Sequence, residues 1–340
     1  MGEVTRKSDH GRSPMARVVM TVVFAVFLCG PTAVVAAAAG SVGVDPVGTG
    51  SSGLGGAPTT SDVPASPSHF SFTVTSSLIK GPNGVDINNG AVRNDPGALL
   101  FVTPTWDPGE VCGCVYDSHP VGVYYDTAAK EWELFHEDDT AFQPGASYNV
   151  LVVPAATANA FRWTATKASI SLNLTYISSP ATNGRPNAKI IVTQVLPKGS
   201  GGVDNNDGVA VAYDHSGGGR WGIYNQLHFS KEPVGATYNV LVGGASTGGG
   251  TSLIQTSTKA NIAVDSTIIE SPVTNNAPNG MVFATNNYNP HGTGTVNHGV
   301  ANNHVVGALY SGVASRWAVF NEDRATPLVG ASMNVLLFRN

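Results

Sequence analysis

The sequence predicts an all-β protein made of three tandem units, each a β-sandwich- or barrel-like repeat of about 85–95 residues. Three observations carry this. Charged residues are only 12% of the 340, while 40 glycines and 21 prolines supply turn formers; an average chain carries roughly 25% charged residues. Short runs rich in Val, Ile, Thr and Tyr alternate with clusters of Gly, Pro, Asn and Asp, the pattern of short strands bounded by turns. One unusual phrase is written three times: EWELFHED at 131–138, RWGIYNQ at 220–226 and RWAVFNED at 316–323.

The first residues stand apart from this pattern. Arg6, Lys7, Arg12 and Arg17 make a basic lead, followed by an apolar run over 18–28, Pro31 and the small residues VVAAAAG. That is the layout of a secretory signal peptide over residues 1–39, with the cut expected between Ala36 and Gly40. The competing reading is an uncleaved anchor, because the stretch 18–39 is mostly apolar and long enough to span a bilayer. Pro31 and the alanine run favour cleavage, so the chain is expected outside the cell, with membrane contact only if the segment is retained. Residues 40–67, rich in Gly, Ser and Pro, read as a flexible linker.

The units run over 68–153, 160–243 and 251–340. Trp132, Trp221 and Trp317 correspond, as do Tyr125, Tyr213 and Tyr310 before them and Asn149, Asn239 and Asn334 after them. Upstream, DPGALLFVT at 95–103 matches RPNAKIIVT at 185–193 and APNGMVFAT at 277–285. In the middle unit, strands are expected near 168–177, 188–196, 208–214, 220–226 and 237–242. The third and fourth form a hairpin through YDHSGGGRW. Alternation puts Trp221, Ile223 and Asn225 on one face and Val209, Val211 and Tyr213 on one face. The repeated tryptophans and tyrosines are therefore assigned to the core of each unit. Gly145, Gly235 and Gly330, before the last strand, are expected in a conformation that other residues resist. Separate modules in a row and a single closed pseudo-threefold body both satisfy the repeat.

At these residues the chain resembles a family known as a domain of unknown function, found in tandem in secreted microbial proteins. Its pattern is N-N-H-x-(V/I)-G-V-x-Y-D, then W-A-I-F-N-Q-D, then P-x-G-A-x-F-N-V. The third unit matches best, through NNHVVGALY, RWAVFNED and VGASMNV, while the second has Asp207 in place of the histidine. The resemblance covers almost all of 68–340 and implies no activity.

Motifs that carry chemistry are scarce. G-x-S-x-G, H-E-x-x-H, C-x-x-C and a P-loop do not occur. GVDINNG at 84–90 and GVDNNDG at 202–208 look like calcium loops, yet lack the spacing and terminal Glu of an EF-hand, and read as turns. His291, His298 and His304 read as a solvated loop rather than a metal site. Cys112 and Cys114, one residue apart, read as a loop staple or two free thiols rather than a redox pair. No cofactor is expected. A net charge of −5 argues against nucleic acid as a partner.

These features leave a secreted, non-catalytic binding or cell-surface protein whose partner is a glycan or an extracellular surface. The alternatives are a polysaccharide hydrolase, with Glu137, Asp138, Glu322 and Asp323 as its repeated acids, or a structural matrix component. The segment before the Tyr strand varies in length between copies, the usual setting of a binding site. It ends at His119, Asp207 and His304, and it carries Trp106 and Tyr288, whose rings suit stacking on a sugar.

Overall fold

A computed structural model describes residues 66–106, 108, 115–154, 159–196, 202–243, 249–292 and 299–339. Residues 1–39, expected as a signal peptide, most of the expected linker, Cys112, Cys114 and His298 lie outside them. Among the described residues no helix is long and apolar enough to cross a membrane.

Among the described residues each unit contributes seven strands. Unit 1 has β1 (Ser68–Thr73), β2 (Ile79–Lys80), β3 (Gly84–Asp86), β4 (Leu99–Pro104), β5 (Val121–Asp126), β6 (Glu131–His136) and β7 (Ser147–Val153). Unit 2 repeats them as β8 (Ala160–Thr164), β9 (Ile170–Ser171), β10 (Leu174–Tyr176), β11 (Ile190–Leu196), β12 (Val209–Asp214), β13 (Arg220–Asn225) and β14 (Thr237–Val242). Unit 3 repeats them as β15 (Thr251–Thr256), β16 (Ile262–Ala263), β17 (Ser266–Ile268), β18 (Met281–Asn289), β19 (Val306–Ser311), β20 (Arg316–Asn321) and β21 (Ser332–Phe338). The strand expected over 168–177 is instead a hairpin of β9 and β10. The alternating ISLNLT hides its turn, because Leu172 adopts a left-handed φ of 55° that leucine ordinarily avoids. GVDINNG supplies strand β3 and, at Asn89 and Gly90, the capped start of a short 3-10 turn.

Within a unit the strands divide between two antiparallel sheets, in the orders β1-β7-β4 and β2-β3-β6-β5 for unit 1. The units then join edge to edge. β11 of unit 2 pairs in parallel with β5 of unit 1, and β18 of unit 3 pairs in parallel with β12 of unit 2. A parallel bridge between Thr105 and Ala308 brings β4 of unit 1 to β19 of unit 3 and closes the circuit. The three contacts are equivalent: Val195 faces Val123, Asn287 faces Val211 and Thr105 faces Ala308. The repeat therefore builds one closed pseudo-threefold body.

Side chains explain the closure. Trp132, Trp221 and Trp317 are buried, each in its own unit's core. Their indole N–H groups donate to the carbonyls of Asp95, Arg185 and Ala277 at 2.8–2.9 Å. Tyr125, Tyr213 and Tyr310 pack edge-on against them. A further core belongs to all three units and contains Phe101, Leu151, Ile191, Leu241, Phe283 and Leu336. β4 and β7 must therefore bury both faces, which is why ALLFV and NVLVV are continuous apolar runs rather than alternating ones. Around this core runs a ring of hydrogen bonds. The Asn149 amide donates to the carbonyl of Val282, Asn239 to Leu100 and Asn334 to Ile190. The hydroxyls of Thr193, Thr285 and Thr103 accept from the N–H groups of Val102, Val192 and Ala284. Gly145, Gly235 and Gly330, at φ 102°, 102° and 96°, turn the chain into the strands that carry these asparagines.

Candidate functional site: an open aromatic groove and an axial funnel

Among the described residues the closure leaves several concavities, one of about 330 Å³ between Phe72 of unit 1 and Trp317 of unit 3; two others concern the site. The first is a small funnel of about 90 Å³ on the pseudo-threefold axis, lined by both apolar and polar side chains. Val102, Val192 and Ala284, equivalent in the three units, line it together with Gln194, Asn286, Glu137, Gln226, Asp207 and His304. Glu137 accepts a 2.6 Å hydrogen bond from the Gln194 amide. Its counterpart Glu322 accepts from the N–H of Asp117 at 2.8 Å. Burial pushes both carboxyls well above the usual range. The third counterpart is the neutral isostere Gln226. Gly122 and Gly307 make room for these acids: a Cβ there would stand 2.1 Å from the carboxylate oxygen of Glu137 or Glu322.

The second concavity is a groove of about 380 Å³ between units 2 and 3, within the usual size range of ligand pockets. Leu174, Tyr176, Ala212 and Tyr224 come from unit 2, and Tyr288 and Ala301 from unit 3. Leu172 and Phe229 flank it, 81% and 53% exposed. Both hold left-handed backbone, at φ 55° and 51°. A bulky residue in that conformation costs roughly 1–2 kcal/mol, and such strain persists where the surroundings impose it, often at binding sites. Tyr288 is itself displaced from the ladder: Val211 faces Asn287 and Ala212 faces Asn289, so Tyr288 is the extra residue of a bulge. Gly299 lies against its carbonyl, where a Cβ would fall 1.6 Å from the oxygen. Gly222 likewise makes room for Leu174, whose Cδ1 would stand 2.6 Å from a Cβ there.

The groove's polar groups are the phenols of Tyr176, Tyr224 and Tyr288 together with Ser171 and Asn173. Tyr224 and Tyr288 meet edge to face with centroids 5.9 Å apart. Tyr176 donates to Asp214 at 2.6 Å, and the Arg220 guanidinium lies 4.6 Å from its ring centroid. Burial and that carboxylate push the Tyr176 phenol up to about 12. Burial also raises Tyr224. Among the described residues no carboxylate lines the groove. The repeated acids lie elsewhere and are engaged: Asp138 with His119 at 2.7 Å, Asp323 with His304 at 2.6 Å, and Glu137 and Glu322 inside the body.

The five residues proposed from sequence for ligand contact do not converge. Asp207 and His304 line the funnel, whereas Tyr288 lines the groove. His119 pairs with Asp138. Asp207 accepts from the N–H groups of Leu227, His228 and Ser230, so it organises the loop after β13. Trp106, the counterpart of Tyr288, packs at the junction of units 3 and 1, 5.9 Å from Tyr116. His136, Asn225 and Asn321 hydrogen-bond within their own units, to Thr140, Ser230 and Ala325 respectively. Sequence reasoning missed Leu172, Phe229, Tyr176, Tyr224 and the two alanines. One signal was present: Leu172 aligns with Gly81, which has φ 59°.

A family described as a domain of unknown function (DUF7452) matches three times in tandem, over residues 62–152, 122–242 and 210–337. The chain belongs to this family. The second and third matches begin in β5 and β12, the strands through which one unit joins the next. No curated protein and no solved structure matches the chain.

Proposed function

We propose that this chain is an exported, non-catalytic binding protein whose ligand is carbohydrate. The observation that carries the reading is the groove between units 2 and 3. Its tyrosines offer ring faces for the apolar side of a sugar and neutral hydroxyls for its polar edge. Two exposed hydrophobic residues are held in costly backbone conformations beside it. A pair of carboxylates across a cleft, which glycoside hydrolysis requires, is not what this groove presents. Export rests on the basic lead, apolar run and small-residue end of residues 1–39.

The test is to express the full chain, read its N-terminus by intact mass, and screen the product against immobilised glycans and insoluble polysaccharides. The expected result is a start between Ala37 and Val42, and retention on at least one polysaccharide that Tyr288→Ala with unchanged melting abolishes. Retention of nothing, or release of reducing sugar from the bound polymer, would overturn the reading.

A further inference from the structure

We propose that the groove is a slot for one six-membered ring, and that Tyr116 occupies a second copy of the slot as a built-in occupant. The slot follows from the repeat; that its ligand is a pyranose rests on the carbohydrate reading above.

All three junctions between units are assembled from equivalent parts. At the junction of units 3 and 1, Trp106 stands where Tyr288 stands in the groove, Phe320 where Tyr224 stands, and Arg324 where Phe229 stands. Arg324 and Phe229 share the left-handed backbone, at φ 65° and 51°. The ring of Tyr116 lies among them. Its centroid is 5.9 Å from Trp106 and 5.8 Å from Phe320, edge-on to the latter, and the Arg324 guanidinium lies 5.5 Å away. Tyr116 immediately precedes Asp117. Ala301 immediately precedes Asn302, the equivalent of Asp117, and Ala301 lines the groove. At the junction of units 1 and 2 the same position is Asp204, and a ring comes from β5 instead: Tyr124 packs edge-on to Phe135 at 6.3 Å. The counterpart of Tyr124 in unit 2 is Ala212.

Two of the three junctions thus carry a tyrosine of the chain itself against the counterpart of Tyr224. The third has alanine at both positions that supply that ring, and a groove of about 380 Å³ remains. Truncating a buried aromatic ring to alanine ordinarily costs several kcal/mol unless the site collapses. Here the surrounding rings, the bulge at Tyr288 and the strained Leu172 and Phe229 stay in place around the vacancy. The geometry assigns Ala301 and Ala212 as the residues that determine whether a junction binds a ring or supplies one.

The test uses the full chain, two probe types and two variants. The probes are p-cresol, which is the side chain of Tyr116, and soluble oligosaccharides of glucose, galactose, mannose and N-acetylglucosamine. Titration by calorimetry or NMR should give one site per wild-type chain. Ala301→Tyr should weaken binding at least tenfold while leaving the melting temperature equal or higher. Tyr116→Ala should raise the stoichiometry for p-cresol from one to two. A folded Ala301→Tyr that binds like wild type, or a folded Tyr116→Ala that still takes one p-cresol, would overturn the slot. If Tyr116→Ala does not fold, Ala301→Tyr decides alone, since it adds a ring rather than removing one. Uptake of p-cresol that Ala301→Tyr abolishes, with no oligosaccharide bound, would keep the slot and overturn the carbohydrate reading. Oligosaccharide binding that Ala301→Tyr leaves unchanged would do the reverse.

Discussion

The side-chain amide of Asn149 donates to the backbone carbonyl of Val282, 3.1 Å away and 133 residues further along the chain. Asn239 and Asn334 make the same contact to Leu100 and Ile190. A residue that marks each copy of the repeat thus serves to hold a different copy.

These three bonds should be felt by the whole body rather than by one unit. Removing a partner from a buried hydrogen bond costs roughly 1–3 kcal/mol. Asn149→Ala, Asn239→Ala and Asn334→Ala should each lower the melting temperature and leave a single transition in calorimetry. A mutant trace that resolves into two transitions would show that the units melt independently and that the shared core is weak.

The tryptophans test the same cooperativity from inside a unit. Trp→Ala at a buried site costs roughly 3–5 kcal/mol. Trp132→Ala, Trp221→Ala and Trp317→Ala should each destabilise strongly, because the lost indole leaves a cavity and removes one of the two hydrogen bonds that its partner carbonyl accepts. Since β4, β11 and β18 each bury one face in the shared core, hydrogen exchange should accelerate in all three units of each mutant. Acceleration confined to the mutated unit would contradict this.

Stability should fall as pH rises from about 4.3 through neutrality. Burial pushes Glu232 up to about 7 and holds Glu137 and Glu322 well above the carboxylate range. A carboxyl with a raised folded-state pKa contributes stability that is complete below its unfolded value, near 4.3, and is lost as pH rises through the folded value. For Glu232 the loss runs from about pH 4.3 to 7, on the order of 3 kcal/mol. Glu232→Gln should keep an acceptor for the 2.6 Å bond from Tyr238 and flatten that dependence. Glu137→Gln and Glu322→Gln should raise the melting temperature at pH 8 and change it little at pH 4, with Gln226 as the natural precedent. Equal melting of mutants and wild type across this range would show that the acids are charged and solvated.

Leu172 offers a trade between stability and binding. It is 81% exposed and has little packing to lose, yet holds φ 55°. Leu172→Gly should stabilise the chain by about 1 kcal/mol by relieving the left-handed strain, as Gly81 does at the equivalent turn. The same change should weaken ligand retention in the screen described above. A substitution that lowers the melting temperature would mean that the turn is not strained.

Much of the fold was legible in the chain. The tryptophan, tyrosine and asparagine triplets, and the alternation around them, are local signals, and local signals report which residues face inward in a strand. The all-β class and the three units follow from them. Leu172 escaped because its left-handed turn lies inside a run with strand-like alternation. The first strand of each unit escaped because SHFSFT, AFRWT and TSLIQT lie at an edge and carry weak patterning.

What only the tertiary structure decided is how the copies meet. The Asn and Thr latches bond to residues of another unit, and no spacing within a repeat encodes that partner. Closure buries β4, β11 and β18 on their second face and creates junctions where the end of one unit's strand meets the face of the preceding unit. The groove depends on this assembly. Ala301 is unremarked in its own loop and acquires meaning only because Tyr116, 185 residues earlier, fills the equivalent space at a different junction. A site made from an absent ring is a property of packing, and packing is settled by which surfaces the closed body brings together.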